Sequence, residues 1–233
     1  MNSIAERIAK TRAQLPEHVR LVAVTKQVSV SAMREAYAAG VRDFGESRIQ
    51  EAATKQAQLQ DLTDVTWHMI GRLQSNKAKK ALEQFHWIHS VDNLKLAQRL
   101  DQLATQLATQ PSVCLQVKIE RDPNKAGWTV PELLADLPAL AQCRQLKIQG
   151  LMTIPPLGLQ DWEILDIFGQ TRELAAKIQK QNWSNMPMQQ LSMGMSGDYH
   201  LAVQAGATIV RLGRTLFGER PQAEPVVLES NQS

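Results

Sequence analysis

Residues 21–26 read Leu-Val-Ala-Val-Thr-Lys, a run of apolar and β-branched residues followed at once by a lysine. This composition predicts a short buried strand that ends where the lysine begins. Because side chains in a strand alternate between two faces, Val22, Val24 and Lys26 are expected on one side of it. A lysine that points where buried valines point is a candidate for desolvation and for amine chemistry. The alternative is that its long stem merely reaches past the strand's edge to water.

Strands and helices alternate along the rest of the chain. Strands are predicted at residues 21–25, 41–45, 66–70, 85–89, 113–119, 146–152, 190–192 and 208–212. Helices are predicted between them at residues 31–39, 47–59, 75–83, 93–109, 131–143, 162–179 and 197–205, and a further helix at residues 2–15 precedes the first strand. Such strict alternation implies parallel strands joined by right-handed crossovers.

Eight strand–helix units within 233 residues favour a closed barrel over an open sheet. The expected fold class is therefore α/β, a single (β/α)8 TIM barrel with an extra N-terminal helix. The alternative, a doubly wound sheet, lacks its phosphate fingerprint, because no GxGxxG follows the first strand. Since no linker interrupts the chain, we expect one barrel domain over residues 1–220 and a disordered C-terminal tail over residues 221–233.

Composition excludes several classes of function. A net charge of +3, with basic residues offset by acidic ones along most of the chain, argues against nucleic-acid binding. Cys114 and Cys143 have no metal-site or disulfide-framework spacing, which is typical of reduced thiols. No apolar run approaches the ~20 residues needed to cross a bilayer, and the amino terminus lacks an apolar signal core. We therefore expect a cytoplasmic protein with no membrane partner.

Two loops at the carboxyl ends of the last strands are rich in glycine and hydroxyl groups. In a barrel of this kind, the loops after strands seven and eight frequently bind phosphate. Here they contain Ser196 and Gly197 in the first loop and Gly213 and Thr215 in the second. Backbone N–H groups beside glycine suit a phosphate, although the charge of Asp198 would compete unless it points away. A simple N-cap role for Ser196 is the alternative.

Arg211 lies in the last predicted strand, on the same face as Ile209 and Gly213. A guanidinium among apolar neighbours needs an acceptor, either a ligand atom at the barrel mouth or an acid such as Glu46 or Asp43. A strand-end lysine, an arginine on the last strand and a phosphate cup between them together suggest pyridoxal 5′-phosphate.

Seven ordered motifs extend this pattern over nearly the whole chain. They closely resemble those of the pyridoxal phosphate homeostasis proteins, a family related to the barrel domain of bacterial alanine racemase. The motifs are Leu-Val-Ala-Val-Thr-Lys at 21–26, Phe-Gly-Glu at 44–46, Trp-His-Met-Ile-Gly at 67–71 with Leu-Gln-Ser-Asn-Lys at 73–77, His-Ser-Val-Asp at 89–92, Gly-Leu-Met-Thr-Ile at 150–154, Leu-Ser-Met-Gly-Met-Ser at 191–196, and Val-Arg-Leu-Gly at 210–213 with Phe-Gly at 217–218.

The resemblance implies a role for each candidate residue. Lys26 would form the internal aldimine with the cofactor's aldehyde, and Arg211 would face the pyridine nitrogen. The implied phosphate cup consists of Ser196, Gly197, Gly213 and Thr215. One departure is Ser47, where the family usually has asparagine, so a polar contact near the ring is expected to be shorter or bridged by water.

The same resemblance implies a protein that binds and releases the cofactor without established catalysis. An arginine at the ring nitrogen disfavours its protonation and weakens the ring as an electron sink. Racemases of this fold also need a second acid/base, which a tyrosine from another domain provides, and we expect this chain to lack that domain. Its tyrosines are Tyr37, expected to pack on a helix, and Tyr199, near the phosphate loop.

Other functions remain open at this stage. The chain could be a pyridoxal-phosphate-dependent racemase or a Schiff-base aldolase using the same site, or a regulatory protein whose partner senses the cofactor. Its expected partners are client enzymes or such a regulatory protein, and a monomer is expected.

The histidines and a basic cluster give weaker indications of function. The five histidines are scattered, and His86 and His89 fall on opposite faces of their strand, which disfavours a metal pair. Arg72, Lys77 and their basic neighbours fit a solvated helix face better than an anionic partner.

Overall fold

The computed structural model describes residues 2–120, 122 and 125–219. Its strands are β1 (Arg20–Val24), β2 (Asp43–Glu46), β3 (Thr66–Met69), β4 (Trp87–Val91), β5 (Ser112–Lys118), β6 (Trp128–Thr129), β7 (Lys147–Met152), β8 (Gln190–Ser192) and β9 (Ile209–Leu212). Its helices are α1 (Ile4–Gln14), α2 (Val30–Ala38), α3 (Ile49–Gln58), α4 (Ala78–Gln84), α5 (Leu94–Leu107), α6 (Val130–Leu140), α7 (Asp161–Gln179), α8 (Tyr199–Gln204) and α9 (Arg214–Phe217). A 3-10 turn, Ser75–Lys77, leads into α4.

Eight of these strands form a closed parallel barrel. Their order around the ring is β1-β2-β3-β4-β5-β7-β8-β9, and β9 pairs with β1 to close it. The two-residue β6 pairs with β5 outside this ring. The predicted (β/α)8 TIM barrel with an extra N-terminal helix is therefore confirmed. The tail predicted at residues 221–233 lies outside the described residues.

The N-terminal helix is defined by its ends. Ser3 and Glu6 form a reciprocal capping box, in which the Glu6 N–H donates to Ser3 Oγ at 3.1 Å and the Ser3 N–H donates to Glu6 Oε2 at 2.8 Å. The helix ends before Leu15, ahead of the proline that the sequence places next. It packs on α2 and α9, and thus lies beside the strand that closes the barrel.

Strand register identifies the residues that point into the barrel. Val22 lies beside Asp43 of β2 on one side and beside Arg211 of β9 on the other, so the three share the inward face. Gly45 is also inward, and a Cβ atom there would come within 2.9 Å of Val22 Cγ1. The interior therefore has little spare volume at this level, and it holds polar as well as apolar side chains.

Two local predictions differ from the structure. The fourth strand runs over Trp87–Val91 instead of residues 85–89, because Phe85 ends α4 and its N–H still donates to Ala81 O. The first strand ends at Val24, so Lys26 does not continue its alternation but lies in the turn that follows. The short strand β6 and the four-residue helix α9 were not predicted.

Candidate functional site

Lys26 is half-buried in a tight turn at the carboxyl end of β1. The Thr25 N–H still donates to Gly45 O at 2.9 Å, as in the parallel ladder, and the Val28 N–H then donates back to Thr25 O at 2.9 Å. Between them, Gln27 adopts a left-handed backbone with φ of 60°. This turn places Lys26 at the rim where barrel active sites lie.

Buried Lys55 of α3 anchors that turn through hydrogen bonds. Its Nζ donates to Thr25 O at 2.6 Å and to two carboxylates, Glu46 Oε1 at 2.8 Å and Glu51 Oε1 at 2.7 Å. Thr25 Oγ1 adds a 2.6 Å hydrogen bond to the same Glu46 oxygen. The peptide just before Lys26 is therefore tied to both β2 and α3.

The two carboxylates of this cluster are perturbed in opposite directions. Burial raises the pKa of Glu46, although hydrogen bonds from Lys55 and Thr25 work against that rise. Burial also opposes ionisation of Glu51, but hydrogen bonds from Lys55 and from the Gln27 N–H lower the pKa of Glu51 overall. Lys55 thus sits between two acids and is compensated within the protein.

The predicted phosphate-cup residues come together at the ends of β8 and β9. Ser196 Oγ accepts hydrogen bonds from the N–H groups of Gly213 and Thr215, both at 3.3 Å. These bonds are long for N–H···O, so both donors remain available to a stronger acceptor. A Cβ built at Gly197 would meet nothing within 4 Å, so the loop faces open space there. Two N–H donors and a hydroxyl beside open space fit a phosphate group.

Asp198 does not compete for that space in the way its charge suggested. Its Oδ1 accepts the Met195 N–H at 2.6 Å, which commits the carboxylate to its own loop. The loop is also packed closely against α8, because a Cβ at Gly194, whose φ is 93°, would lie 2.6 Å from Ala202 Cβ. The cup is consequently held by its own backbone packing.

Arg211 is 4% exposed and lies inside the barrel near the same rim. Its Nη1 donates to Ser192 Oγ at 2.7 Å and its Nη2 to Thr153 O at 3.2 Å, both neutral acceptors. Burial lowers the pKa of Arg211 to about 10. The alternative of a direct salt bridge is wrong, since Glu46 is bound to Lys55 and Asp43 to His68.

A continuous set of hydrogen bonds leads from Arg211 through the barrel interior. Ser192 Oγ lies 2.7 Å from His89 Nδ1, His89 Nε2 lies 2.9 Å from His68 Nδ1, and His68 Nε2 lies 2.9 Å from Asp43 Oδ1. We call this set the interior chain, and its members are Asp43, His68, His89, Ser192 and Arg211.

Sequence reasoning separated His86 from His89 but missed the interior chain. His86 precedes β4 and is exposed, whereas His89 lies within β4 and is fully buried, so the two differ in burial but not as opposite faces of one strand. The interior chain could have been predicted from which residues of each strand point into the barrel. Gly45 pairs with His68 across β2 and β3, so the two share the inward face. That alignment depends on register, which a single strand does not carry.

Neither tyrosine occupies the candidate site. Tyr37 OH donates to Asp64 Oδ1 at 2.6 Å on the outer surface, and Tyr199 OH donates to Gln14 Oε1 of α1 at 2.7 Å. Both hydroxyls are thus engaged away from the interior chain. Ser47, where the resemblance expects asparagine, lines a separate rim cavity of about 580 Å³.

Two further findings concern metals and membranes. Within residues 2–120, 122 and 125–219, no three or more histidine, cysteine, aspartate or glutamate side chains gather in a way that could hold a metal ion. In the same part of the chain, no helix combines the length and the apolar character needed to span a bilayer.

Comparison with known proteins identifies the family. The family model described as the alanine racemase N-terminal domain matches residues 1–221. A pyridoxal phosphate homeostasis protein of Synechocystis sp. is 53% identical over 208 residues, covering 89% of this chain and 94% of the relative. One from Pseudomonas aeruginosa is 41% identical over 235 residues, covering 97% and 99%.

Solved structures agree with this assignment. PipY of Synechococcus elongatus, solved with PLP bound, has a TM-score of 0.89 and 54% identity, covering 93% of this chain and 100% of PipY. An alanine racemase of Clostridium difficile has a TM-score of 0.73 at 12% identity, which is a likeness of fold alone. The chain therefore belongs to the family of the alanine racemase N-terminal domain and, within it, to the pyridoxal phosphate homeostasis proteins.

Proposed function

We propose that this protein binds pyridoxal 5′-phosphate at the carboxyl end of its barrel and acts in intracellular vitamin B6 and amino-acid homeostasis by holding and releasing it. The observation that carries the proposal is the cup in which Ser196 Oγ meets the N–H groups of Gly213 and Thr215. The cup lies on the loops after β8 and β9, and β9 pairs with β1, the strand that precedes Lys26. The PLP-bound PipY structure supports the same ligand.

Each residue has a distinct part in this proposal. Pyridoxal phosphate supplies an aldehyde that condenses with amines and an aromatic ring that withdraws electrons. The Lys26 amine would hold the aldehyde covalently, and Arg211 would serve the ring nitrogen. Ser196, Gly213 and Thr215 hold the phosphate, and Gly197 leaves room for it because no side chain fills the space in front of it.

Holding, instead of turnover, follows from the charge of Arg211. A guanidinium beside the ring nitrogen opposes a second positive charge on that nitrogen, so the ring draws electrons weakly. Amino-acid racemisation in addition needs a second acid/base on the opposite ring face. The hydroxyls of Tyr37 and Tyr199 are bound to Asp64 and Gln14 instead.

Equilibrium binding tests the proposal. Wild-type protein should bind pyridoxal 5′-phosphate at least tenfold more tightly than pyridoxal, because the cup recognises the phosphate. Ser196→Ala should reduce that preference, whereas Ser184→Ala, outside the cup, should leave it unchanged. Equal affinity for the two compounds would contradict the proposed cup.

Incubation with single L-amino acids separates a holder from an enzyme. We expect no accumulation of the D-isomer or of a keto acid above that caused by free pyridoxal phosphate. Robust turnover would overturn the holder proposal in favour of a racemase or a related enzyme.

The partners belong to the same proposal. We expect a cytoplasmic monomer that passes the cofactor to pyridoxal-phosphate-dependent enzymes, with a regulatory partner as the alternative. Recovery of partners by the cofactor-loaded protein, but not by the cofactor-free protein, would support either. Size-exclusion chromatography with light scattering checks the monomer, and a stable dimer would refute it.

A further inference from the structure

The interior chain crosses the barrel from its rim to its base. Arg211 reaches the carboxyl end, where its Nη2 donates to Thr153 O just beyond β7. Asp43 is the first residue of β2, at the opposite end, and its side chain is 21% exposed. His68, His89 and Ser192 lie between them and are fully or almost fully buried. A buried guanidinium near the rim is thus connected by hydrogen bonds to a partly exposed carboxylate near the base.

The chain has one consistent direction of hydrogen-bond donation. Arg211 donates to Ser192 Oγ. A carboxylate only accepts, so His68 donates to Asp43 from Nε2 and, when neutral, accepts at Nδ1 from His89 Nε2. A neutral His89 then accepts at Nδ1, which makes the Ser192 hydroxyl the donor of that bond. Every polar atom is satisfied with both histidines neutral, and all donors point toward Asp43.

The surroundings favour this neutral arrangement. Burial lowers the pKa of His68 and holds the pKa of His89 well below its usual value. Trp87 stacks on the His68 ring at 5.9 Å, and the Arg20 guanidinium lies 5.3 Å above Trp87. The side chains of Trp87 and Arg20 thus cover the interior chain at its His68 end.

Other charged or titratable groups face the chain from neighbouring elements. Arg20 lies 3.7 Å from Asp43, and its charge adds to that of Arg211 in disfavouring a proton on His89. His86 acts in the same sense on His68. The Asp198 carboxylate acts on Arg211 through space and favours its charge, while burial raises the pKa of Cys114 to about 12, which keeps that thiol neutral. Asp43 is therefore the anion that is hydrogen-bonded into the chain.

We infer that the interior chain is a positioning device for Arg211: it fixes the direction in which the guanidinium donates and partly compensates its charge from the base of the barrel. The protonation of a cofactor bound at the rim then depends on a carboxylate at the opposite end. This inference rests on the proposed function, since it concerns the cofactor that function assigns. It adds Asp43, His68, His89 and Ser192 as residues that act through Arg211.

Substitutions at the base and in the middle of the interior chain test this inference in the cofactor-loaded protein. Asp43→Asn keeps the shape and the hydrogen-bond acceptor but removes the charge, so the site becomes more positive. The pH midpoint of the bound cofactor's absorbance change should fall by about half a pH unit. His89→Leu changes no formal charge but breaks the chain, and it should move the midpoint in the same direction. His89→Gln, which can donate and accept, should restore most of the wild-type value.

Asp61→Asn is the matched control, because it removes the same charge from an exposed pair with Arg34. It should leave the midpoint unchanged. If Asp43→Asn and His89→Leu lowered only the folding stability, with the midpoint fixed, the chain would be merely structural and the inference would be wrong. A shift with Asp43→Asn but not with His89→Leu would indicate through-space charge alone and would also overturn it.

A measurement on the cofactor-free protein separates this inference from the proposed function. Nitrogen-15 spectra of the imidazole rings at pH 7 should show both His68 and His89 neutral, with the proton on Nε2. A proton on Nδ1 of either ring, or a cationic ring, would contradict the direction of donation in the interior chain, whether or not the protein binds the cofactor. Failure of the wild-type protein to bind pyridoxal phosphate would instead refute the proposed function.

Discussion

Lys55 shows how much a single buried residue contributes here. Its amine contacts Thr25 O and two carboxylates beneath the turn that carries Lys26. Lys55→Met would leave Glu46 buried without its cation, so we expect a loss of about 3–5 kcal/mol in the free energy of unfolding. Urea denaturation measures this loss. The exposed substitution Lys10→Met should change the unfolding free energy little.

The double variant Lys55→Met with Glu46→Gln refines this prediction. Neutralising both partners removes the uncompensated charge, so the double variant should be less destabilised than the sum of the two single variants. Strict additivity would show that the two side chains do not interact as the 2.8 Å contact between Lys55 Nζ and Glu46 Oε1 indicates.

The buried histidines predict a dependence of stability on pH. The pKa values of His68 and His89 are lowered in the folded protein, mainly by burial, so the unfolded chain binds more protons than the folded one. Acid therefore favours unfolding, and stability should fall as the pH drops below about 6.5, by up to about 1.4 kcal/mol per pH unit for each histidine.

Equilibrium unfolding between pH 7.5 and pH 5 checks this dependence. His89→Gln removes one of the two groups, so its stability should fall less steeply with decreasing pH than that of the wild type. His18→Gln, at an exposed position, should keep the wild-type slope. An equal slope in the His89 variant would mean that His89 is not held neutral.

At the scale of the element, some glycines lie where two backbones approach too closely for a side chain. A Cβ at Gly150 in β7 would lie 1.7 Å from Gln190 O of β8, so Gly150→Ala must force these strands apart. We expect severe destabilisation, more than about 3 kcal/mol, as for an overpacked core position. Gly169 in α7 has no neighbour within 4 Å of such a Cβ. Gly169→Ala should instead stabilise the protein by about 0.5–1 kcal/mol.

Thermal unfolding of the two variants measures both effects with one kind of substitution. Opposite changes in melting temperature are expected. A tolerated Gly150→Ala would contradict the close pairing of β7 and β8 on which the position of the Ser196 loop depends.

Elements with a clear local pattern were predictable, and those that depend on neighbours were not. β8 was predicted with its observed bounds, since its residues need only alternate. The turn at Lys26 was not, because the left-handed conformation of Gln27 is imposed by contacts with Glu51 and the chain beyond β1. Lys55 looked like part of a polar helix, and its burial depends on a glutamate from another strand.

At the scale of the whole molecule, the barrel and the proximity of the predicted cup residues followed from the sequence. Alternation of strands and helices fixed the ring, and the ring then brought Ser196, Gly213 and Thr215 together. The interior chain did not follow, because it joins β2, β3, β4, β8 and β9 through their register. No single strand contains that information.

The molecule as a whole is thus a closed ring with two cationic side chains, Lys26 and Arg211, near its carboxyl end. Lys26 lies in the turn after β1, Arg211 lies on the adjacent strand β9, and the cup is formed by the loops after β8 and β9. The central claim is that Lys26 is the covalent anchor of pyridoxal phosphate. Lys26→Ala should therefore abolish covalent attachment, while Lys10→Ala should not.

Borohydride reduction of the cofactor-loaded protein, followed by peptide mass mapping, tests this claim most directly. We expect a phosphopyridoxyl group on Lys26 in wild-type protein and its loss in Lys26→Ala. Modification predominantly at another lysine, or none in the wild type, would contradict it.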